Sequence, residues 1–280
     1  MPAINVYYDT QARVGGVAGS FLTTRKQLFN ARQTFSGRRF AIEVGEKVRL
    51  LAAVDLLEPL SREEVERFSQ RVPVVHLGEG RTLYTPGRKG RMLFLLLRGR
   101  MRIYKVAEGR ELTLNVVRAG ETFGETALTA ERHHGAYAQA TEPSEIALMG
   151  VPTLESLVRD KPLVGLKALE LLGERLAFYE SKMGDIGLRE VPGRLASLIL
   201  HLCQTEGVVT AEGYVIPTRY THQQLGAMIG AKRVAVTRAM GEFRRSGAVE
   251  PTRKQIYVKD VPALEHVAGK EPLAKEWEET

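Results

Sequence analysis

The chain is short of cysteine, of long apolar runs and of every common catalytic signature. Its 280 residues hold one cysteine, Cys203. That excludes an intrachain disulfide, and also an iron–sulfur cluster, which needs about four ligands. Cys203 lies in the apolar run LASLILHLC and is expected to be a buried helix residue. No hydrophobic run approaches the roughly 20 residues of a membrane span, and no signal-peptide pattern is seen. No membrane partner is therefore expected, and the cytoplasm is the default location. GxSxG, P-loop and HExxH motifs are missing, as is any nucleophile–base cluster, so an enzyme is not expected. Acidic residues are scarce in one region: between Val191 and Lys259 there are ten Lys/Arg against four Asp/Glu. That segment supplies most of the net charge of +7 and suits a polyanionic partner. The length allows roughly two domains with proper cores.

Within the basic segment, Thr221–Arg245 reads as two short helices with a tight turn. Thr221 and Gln224 have the spacing of a capping box, which starts a helix at His222. Leu225, Met228 and Ile229 give that helix one apolar side. Gly230 can take the positive φ that ends it. A second helix follows, with Val236, Met240 and Phe243 facing inward. Lys232, Arg233, Arg238, Arg244 and Arg245 point elsewhere. Such a unit suits the DNA major groove, because the start of its second helix brings side chains to base edges. Two core helices with solvated charges are the blander reading of the same pattern.

Upstream, residues 1–48 are polar, basic and weakly periodic, an expected flexible extension. Helical pieces are expected over Leu50–Gln70, with Ser61 and Glu64 as another capping box. Short strands follow at Val72–Leu77, Thr82–Tyr84, Met92–Leu97, Met101–Val106, Glu111–Val117, Ala136–Ala140 and Ile146–Met149. Turn chemistry recurs between them about every 8–12 residues, the rhythm of an antiparallel barrel or sandwich. After Pro152 the pattern turns helical. Leu169, Leu172, Leu176, Tyr179, Met183 and Ile186 are spaced 3, 4, 3, 4, 3, a heptad seam. Strict alternation favours a partner helix, hence a symmetric homodimer, over packing within one chain. Pro192–Gln204 is a further apolar helix and Gly207–Pro217 a hairpin. Ala248–Glu250 and Gln255–Lys259 flank the basic tip PTRK, completing a winged helix.

The domain boundaries expected are 1–48 extension, 49–160 β-roll, 161–190 dimerisation helix, 191–260 winged helix and 261–280 polar tail. The fold class is α+β: an N-terminal antiparallel jelly-roll, a long helix and a C-terminal winged helix–turn–helix.

From Leu56 to Lys259 the chain resembles the cyclic-AMP receptor protein / FNR family of bacterial transcription regulators. The motifs that carry this are GRMRIY and FGETAL in a glycine-punctuated β-roll, VPGRLASLIL after the long helix, and the helix–turn–helix. The resemblance implies a homodimer that binds double-stranded DNA at a palindromic operator and contacts RNA polymerase. Whether such a regulator activates or represses depends on where its operator lies.

In cyclic-AMP-binding members, a Gly-Glu pair and a later Arg-Ser pair hold the ribose and cyclic phosphate. Gly124 and Glu125, followed by Thr126, match the first pair. The second falls on His134-Gly135, so the phosphate-clamping arginine is absent unless Arg132 substitutes through a shifted loop. Histidine lacks the bidentate guanidinium fork. The Thr-Ser pair that meets the adenine is replaced by Tyr179-Glu180. These departures argue against cyclic AMP as the effector and place no cofactor in the roll. Open alternatives are another metabolite such as 2-oxoglutarate, a vestigial pocket with no ligand, and haem or metal on His76, His133 or His134. A ligand-binding module without DNA activity is the rival that the basic winged helix argues against.

By the same resemblance, the base-reading positions fall on Arg233, Val234 and Arg238, closest to the nitrogen-control regulators. Arginine can contact guanine O6 and N7 bidentately. Val234 stands where the cyclic-AMP receptor has a glutamate that accepts from cytosine N4, and it offers only apolar contact. Lys232, Thr237, Arg253 and Lys254, with Thr221 and His222 at a helix start, are expected at phosphates.

Overall fold

The computed structural model describes residues 42–88, 90–129, 133–252 and 255–269. Residues 1–41 of the expected extension, Arg132, the wing-tip residues Arg253 and Lys254, and 270–280 lie outside the described residues.

Two helices, α1 (Val44–Ala52) and α2 (Arg62–Ser69), precede the strands. Ser61 and Glu64 form the expected capping box of α2. The eight strands that follow are β1 (Val74–Leu77), β2 (Thr82–Tyr84), β3 (Met92–Arg98), β4 (Arg100–Ala107), β5 (Arg110–Arg118), β6 (Thr122–Phe123), β7 (Tyr137–Ala140) and β8 (Ser144–Gly150). They pair antiparallel in two four-stranded sheets, ordered β1-β8-β3-β6 and β2-β7-β4-β5. Alternate residues of both sheets meet in one core containing Phe94, Leu96, Phe123 and Ile146 from the first and Tyr84, Met101, Val117 and Ala138 from the second. This is the expected α+β roll, with one strand more than expected. The added strand, β6, is two residues long and too short for alternation to show in sequence; Phe123 sits opposite Phe94. At the other end of the roll, Pro73 has no N–H to give a ladder, and β1 begins after it.

Helices α3 (Val151–Asp160) and α4 (Pro162–Leu188) leave the roll. The 27 residues of α4 span roughly 40 Å at 1.5 Å per residue. Only Val164 of α4 is buried. Leu169, Leu176 and Met183 are 66%, 59% and 72% exposed, and Leu163 and Leu166 extend the same apolar surface.

The C-terminal unit comprises α5 (Val191–Glu206), β9 (Val208–Thr210), β10 (Gly213–Ile216), α6 (His222–Ile229), α7 (Arg233–Arg245), β11 (Val249–Pro251), β12 (Ile256–Val258) and α8 (Val261–Val267). Its sheet runs β11-β12-β10-β9. The core joins Leu195, Ile199 and Leu202 to Leu225, Val236, Met240 and Phe243. Cys203 is buried on α5, as expected, and burial pushes its thiol pKa up to about 11.

Two boundaries need correction. The extension does not run to residue 48, because α1 begins at Val44 and buries Val48 and Leu51. Nor is 261–280 a polar tail throughout. Asp260 caps α8 by accepting from Ala263 N at 2.9 Å, and Leu264 and Ala268 are fully buried. Those two inward residues, four apart, are too few for periodicity to betray a helix.

Candidate functional site

The reading unit is built from local signals. Thr221 Oγ1 accepts from Gln224 N at 3.1 Å, and Gln224 Oε1 accepts from Thr221 N at 2.8 Å, which satisfies two donors at the start of α6. Gly230 ends the helix at φ 66°. Gly226 allows the close turn, since a Cβ there would lie 2.6 Å from Ala231 O. On α7 the buried residues are Val236, Ala239, Met240 and Phe243. That orientation leaves Arg233, Val234, Thr237 and Arg238 on the outer face, all exposed, with Val234 at 74%. Lys232 is exposed at the N-cap position of α7.

Two expected phosphate contacts have partners inside the protein. His222 Nδ1 lies 2.8 Å from Thr237 Oγ1, and Thr237 donates to Arg233 O at 3.0 Å. The pair therefore ties the first turn of α6 to the first turns of α7. Behind the reading unit, β11 and β12 form the wing, closed by paired bonds between Thr252 and Gln255.

The roll holds a cavity of about 580 Å³ between its second sheet and α4. Gly124, Glu125, Thr126, Gly135 and Tyr179 line it. Gly124 sits at φ 90°, and a Cβ there would lie 2.6 Å from the Phe94 ring. Glu125 is ion-paired with Arg175 of α4, which also donates to Thr122 O at 2.9 Å. Sequence reading missed Arg175, although Leu172, Arg175, Leu176 and Tyr179 share one helix face by their i, i+3, i+4, i+7 spacing. Lys105 and Tyr84 also line the cavity and were likewise missed. Burial raises the phenol pKa values of Tyr84 and Tyr179.

Two of the expected pocket residues do not line it. Glu180 is exposed on α4. His134 is only 4% exposed and stacks on Tyr84, ring centroids 3.8 Å apart at 11°. Its Nδ1 is 3.0 Å from Thr126 Oγ1, and its ring fills the space where a Cβ on Gly90 would stand, 2.4 Å from Nε2. Burial, then the nearby Arg88 charge, lowers its pKa and favours the neutral ring. His134 is thus a packed core residue and does not line the cavity. His76 pairs with Glu145 at 3.5 Å, and among the described residues no group of three His, Cys, Asp or Glu could hold a metal ion.

The winged helix rests on the roll. Arg100 of β4 donates to Thr218 Oγ1 at 3.0 Å and lies 3.4 Å from Glu206 at the end of α5. Glu206 also accepts from Thr218 and Tyr220. Arg118 of β5 reaches Thr205 at 3.1 Å, and α6 packs along β5.

Residues 193–267 match the Crp-like helix-turn-helix domain, and residues 74–161 the cyclic nucleotide-binding domain. The global nitrogen regulator of Synechocystis sp. is 31% identical over 196 residues, covering 69% of this chain and 87% of that protein. The chain belongs to the cyclic-AMP receptor protein / FNR family of transcription regulators. The CRP-like cAMP-activated global transcriptional regulator of Mycobacterium tuberculosis is 23% identical over 216 residues, 77% of this chain and 96% of that one. A CooA variant from Carboxydothermus hydrogenoformans shares the fold with a TM-score of 0.69 at 22% identity, covering 79% of this family member and 99% of the CooA chain. Proteins of this family are transcription regulators, not enzymes. Among the described residues no helix is long and apolar enough to cross a membrane.

Proposed function

We propose that this regulator acts in the cytoplasm as a homodimer, reading a palindromic promoter site, contacting RNA polymerase and needing no cyclic AMP. The observation that carries the reading is the outer face of α7, where Arg233, Val234 and Arg238 stand clear while Val236, Met240 and Phe243 are buried beneath. Two arginines flanking an apolar residue favour guanine at two positions of each half-site and leave the middle position without a hydrogen-bond acceptor. The exposed seam on α4 supports a second copy, because a heptad stripe of this kind is otherwise left in water. Independence from cyclic AMP is supported by the buried, uncharged His134 at the clamp position and by Glu125 already paired with Arg175.

Gel shifts with a selected palindrome test this directly. Specific binding is expected without additions and unchanged by cyclic AMP, and Met183→Glu is expected to abolish both dimer and binding. A strict requirement for cyclic AMP would overturn the effector reading; strong selection for TGTGA half-sites would overturn the base reading. A second reading, gating by another metabolite such as 2-oxoglutarate, is favoured by the 580 Å³ cavity and its Arg175 and Lys105. The likeness to a global nitrogen regulator makes 2-oxoglutarate the first addition to try.

A further inference from the structure

A second cavity, of about 260 Å³, lies where the roll meets the winged helix. It shares one wall residue, Asn115, with the cavity in the roll. Its walls come from β5, the C-terminal half of α4, α5 and α6. Three cationic side chains line it, one from each of three elements: Arg118 of β5, Lys182 of α4 and Arg194 of α5.

None of the three meets a carboxylate there. Arg118 gives one N–H to Thr205 Oγ1 at 3.1 Å, and Arg194 gives one to Ile229 O at 3.1 Å. The Nε of each is buried with no hydrogen-bond partner among the described residues. Lys182 donates to Thr113 O at 2.7 Å and Leu114 O at 3.1 Å, and its Nζ lies 5.6 Å over the Phe178 ring, so no third hydrogen-bond acceptor engages it. The cavity's one carboxylate, Asp185, is paired with Arg189 at 3.0 Å. A buried N–H without an acceptor is costly, and an anion placed beside these two Nε atoms and the half-buried cations offsets that cost. The remaining wall is mixed: Thr113, Asn115, Ser181, Ser197, His201 and Gln204 are polar, and Phe178 and Leu198 on either helix with Met228 from α6 form an apolar strip.

We propose that this cavity is a second ligand site, taking a small organic anion whose apolar body lies on Phe178, Leu198 and Met228 and whose carboxylate or phosphate sits among Arg118, Lys182 and Arg194. A volume below the roughly 300–1,000 Å³ of drug-sized sites selects a compact molecule. Because roll and winged helix each supply walls, the bound anion stiffens the seat of α6 on β5.

Calorimetric titration of the full chain with phenyl phosphate and with benzoate tests the site without recourse to DNA. Saturable binding of one molecule per chain is expected for at least one probe, and which probe binds distinguishes the phosphate from the carboxylate class. Arg118→Gln is expected to weaken it at least tenfold. Leu198→Trp, which keeps every charge and fills the space, is expected to do the same, so one variant's failure to fold leaves the other to read. Absence of binding by both probes overturns the proposal. So does binding that survives both variants but is lost in Arg175→Gln, since the probe is then in the roll.

Discussion

Thr237 gives its only hydroxyl proton to the Arg233 carbonyl, so the 2.8 Å contact with His222 requires the histidine Nδ1 to be the donor. The first turn of α6 and the base-reading turn of α7 are thereby held together by side chains that sequence reading assigned to phosphates. The link is exposed and contributes on the order of 1 kcal/mol or less. Its importance lies in orientation, because base contacts depend on where Arg233 stands.

Thr237→Val keeps the shape and removes the link. Denaturant unfolding is expected to show a loss of about 1 kcal/mol or less. Specific DNA affinity is expected to fall several-fold, with non-specific binding little changed. Equal losses on specific and random DNA would instead mark Thr237 as a plain phosphate contact.

Val234→Glu adds an acceptor at a position 74% exposed, so stability is expected to change by less than about 0.5 kcal/mol. Binding-site selection is expected to gain a preference for cytosine at the base pair it meets, by about 1–3 kcal/mol. Arg233→Ala and Arg238→Ala are each expected to lose a similar amount at their own positions.

Removing Arg175 strands a carboxylate. Arg175→Leu leaves Glu125 facing the cavity without its partner, and a loss of about 1–3 kcal/mol is expected. Arg175→Leu with Glu125→Gln is expected to recover part of that loss, which a double-mutant cycle in urea measures. Strict additivity of the two substitutions would show that the pair is not coupled.

Burial lowers the Lys182 pKa from 10.5 to about 8, against an unfolded chain that keeps the ordinary value. Between those values the unfolded state binds more protons, so stability rises with pH. Below about pH 8 the charged amine is buried and that contribution is absent. The rise is at most about 3 kcal/mol, and the two carbonyl contacts, which favour the charged form, reduce it. Lys182→Met is expected to flatten the stability profile between pH 8 and 10. An anion held among Arg118, Lys182 and Arg194 is expected to raise the Lys182 pKa again.

Legibility followed the range of the interaction. Both capping boxes, the Gly230 stop and the inward face of α7 rest on contacts within about one helical turn or two. Linear spacing therefore exposed them. Seven of the roll's strands were visible through turn chemistry, and β6 was not, because two residues cannot show alternation. The short α8 escaped for a related reason, having only Leu264 and Ala268 to face inward.

The sites behaved differently. The family resemblance put His134 where other members have the clamping arginine, but not the slot that its ring fills, made by Tyr84 from β2 and the bare backbone of Gly90. Arg175 entered the cavity from a helix far along the chain, and nothing local to Glu125 announced that partner. The same holds for Arg100 with Glu206 and for the cations of the second cavity. Periodicity, caps and charge density were sufficient for most strands, the long helix and the outward face of the reading helix, since those depend on neighbours in sequence. Which charges are neutralised, which histidine is buried and where space remains between domains depend on surfaces brought together from distant segments. Those were settled only when the roll, α4 and the winged helix packed against one another.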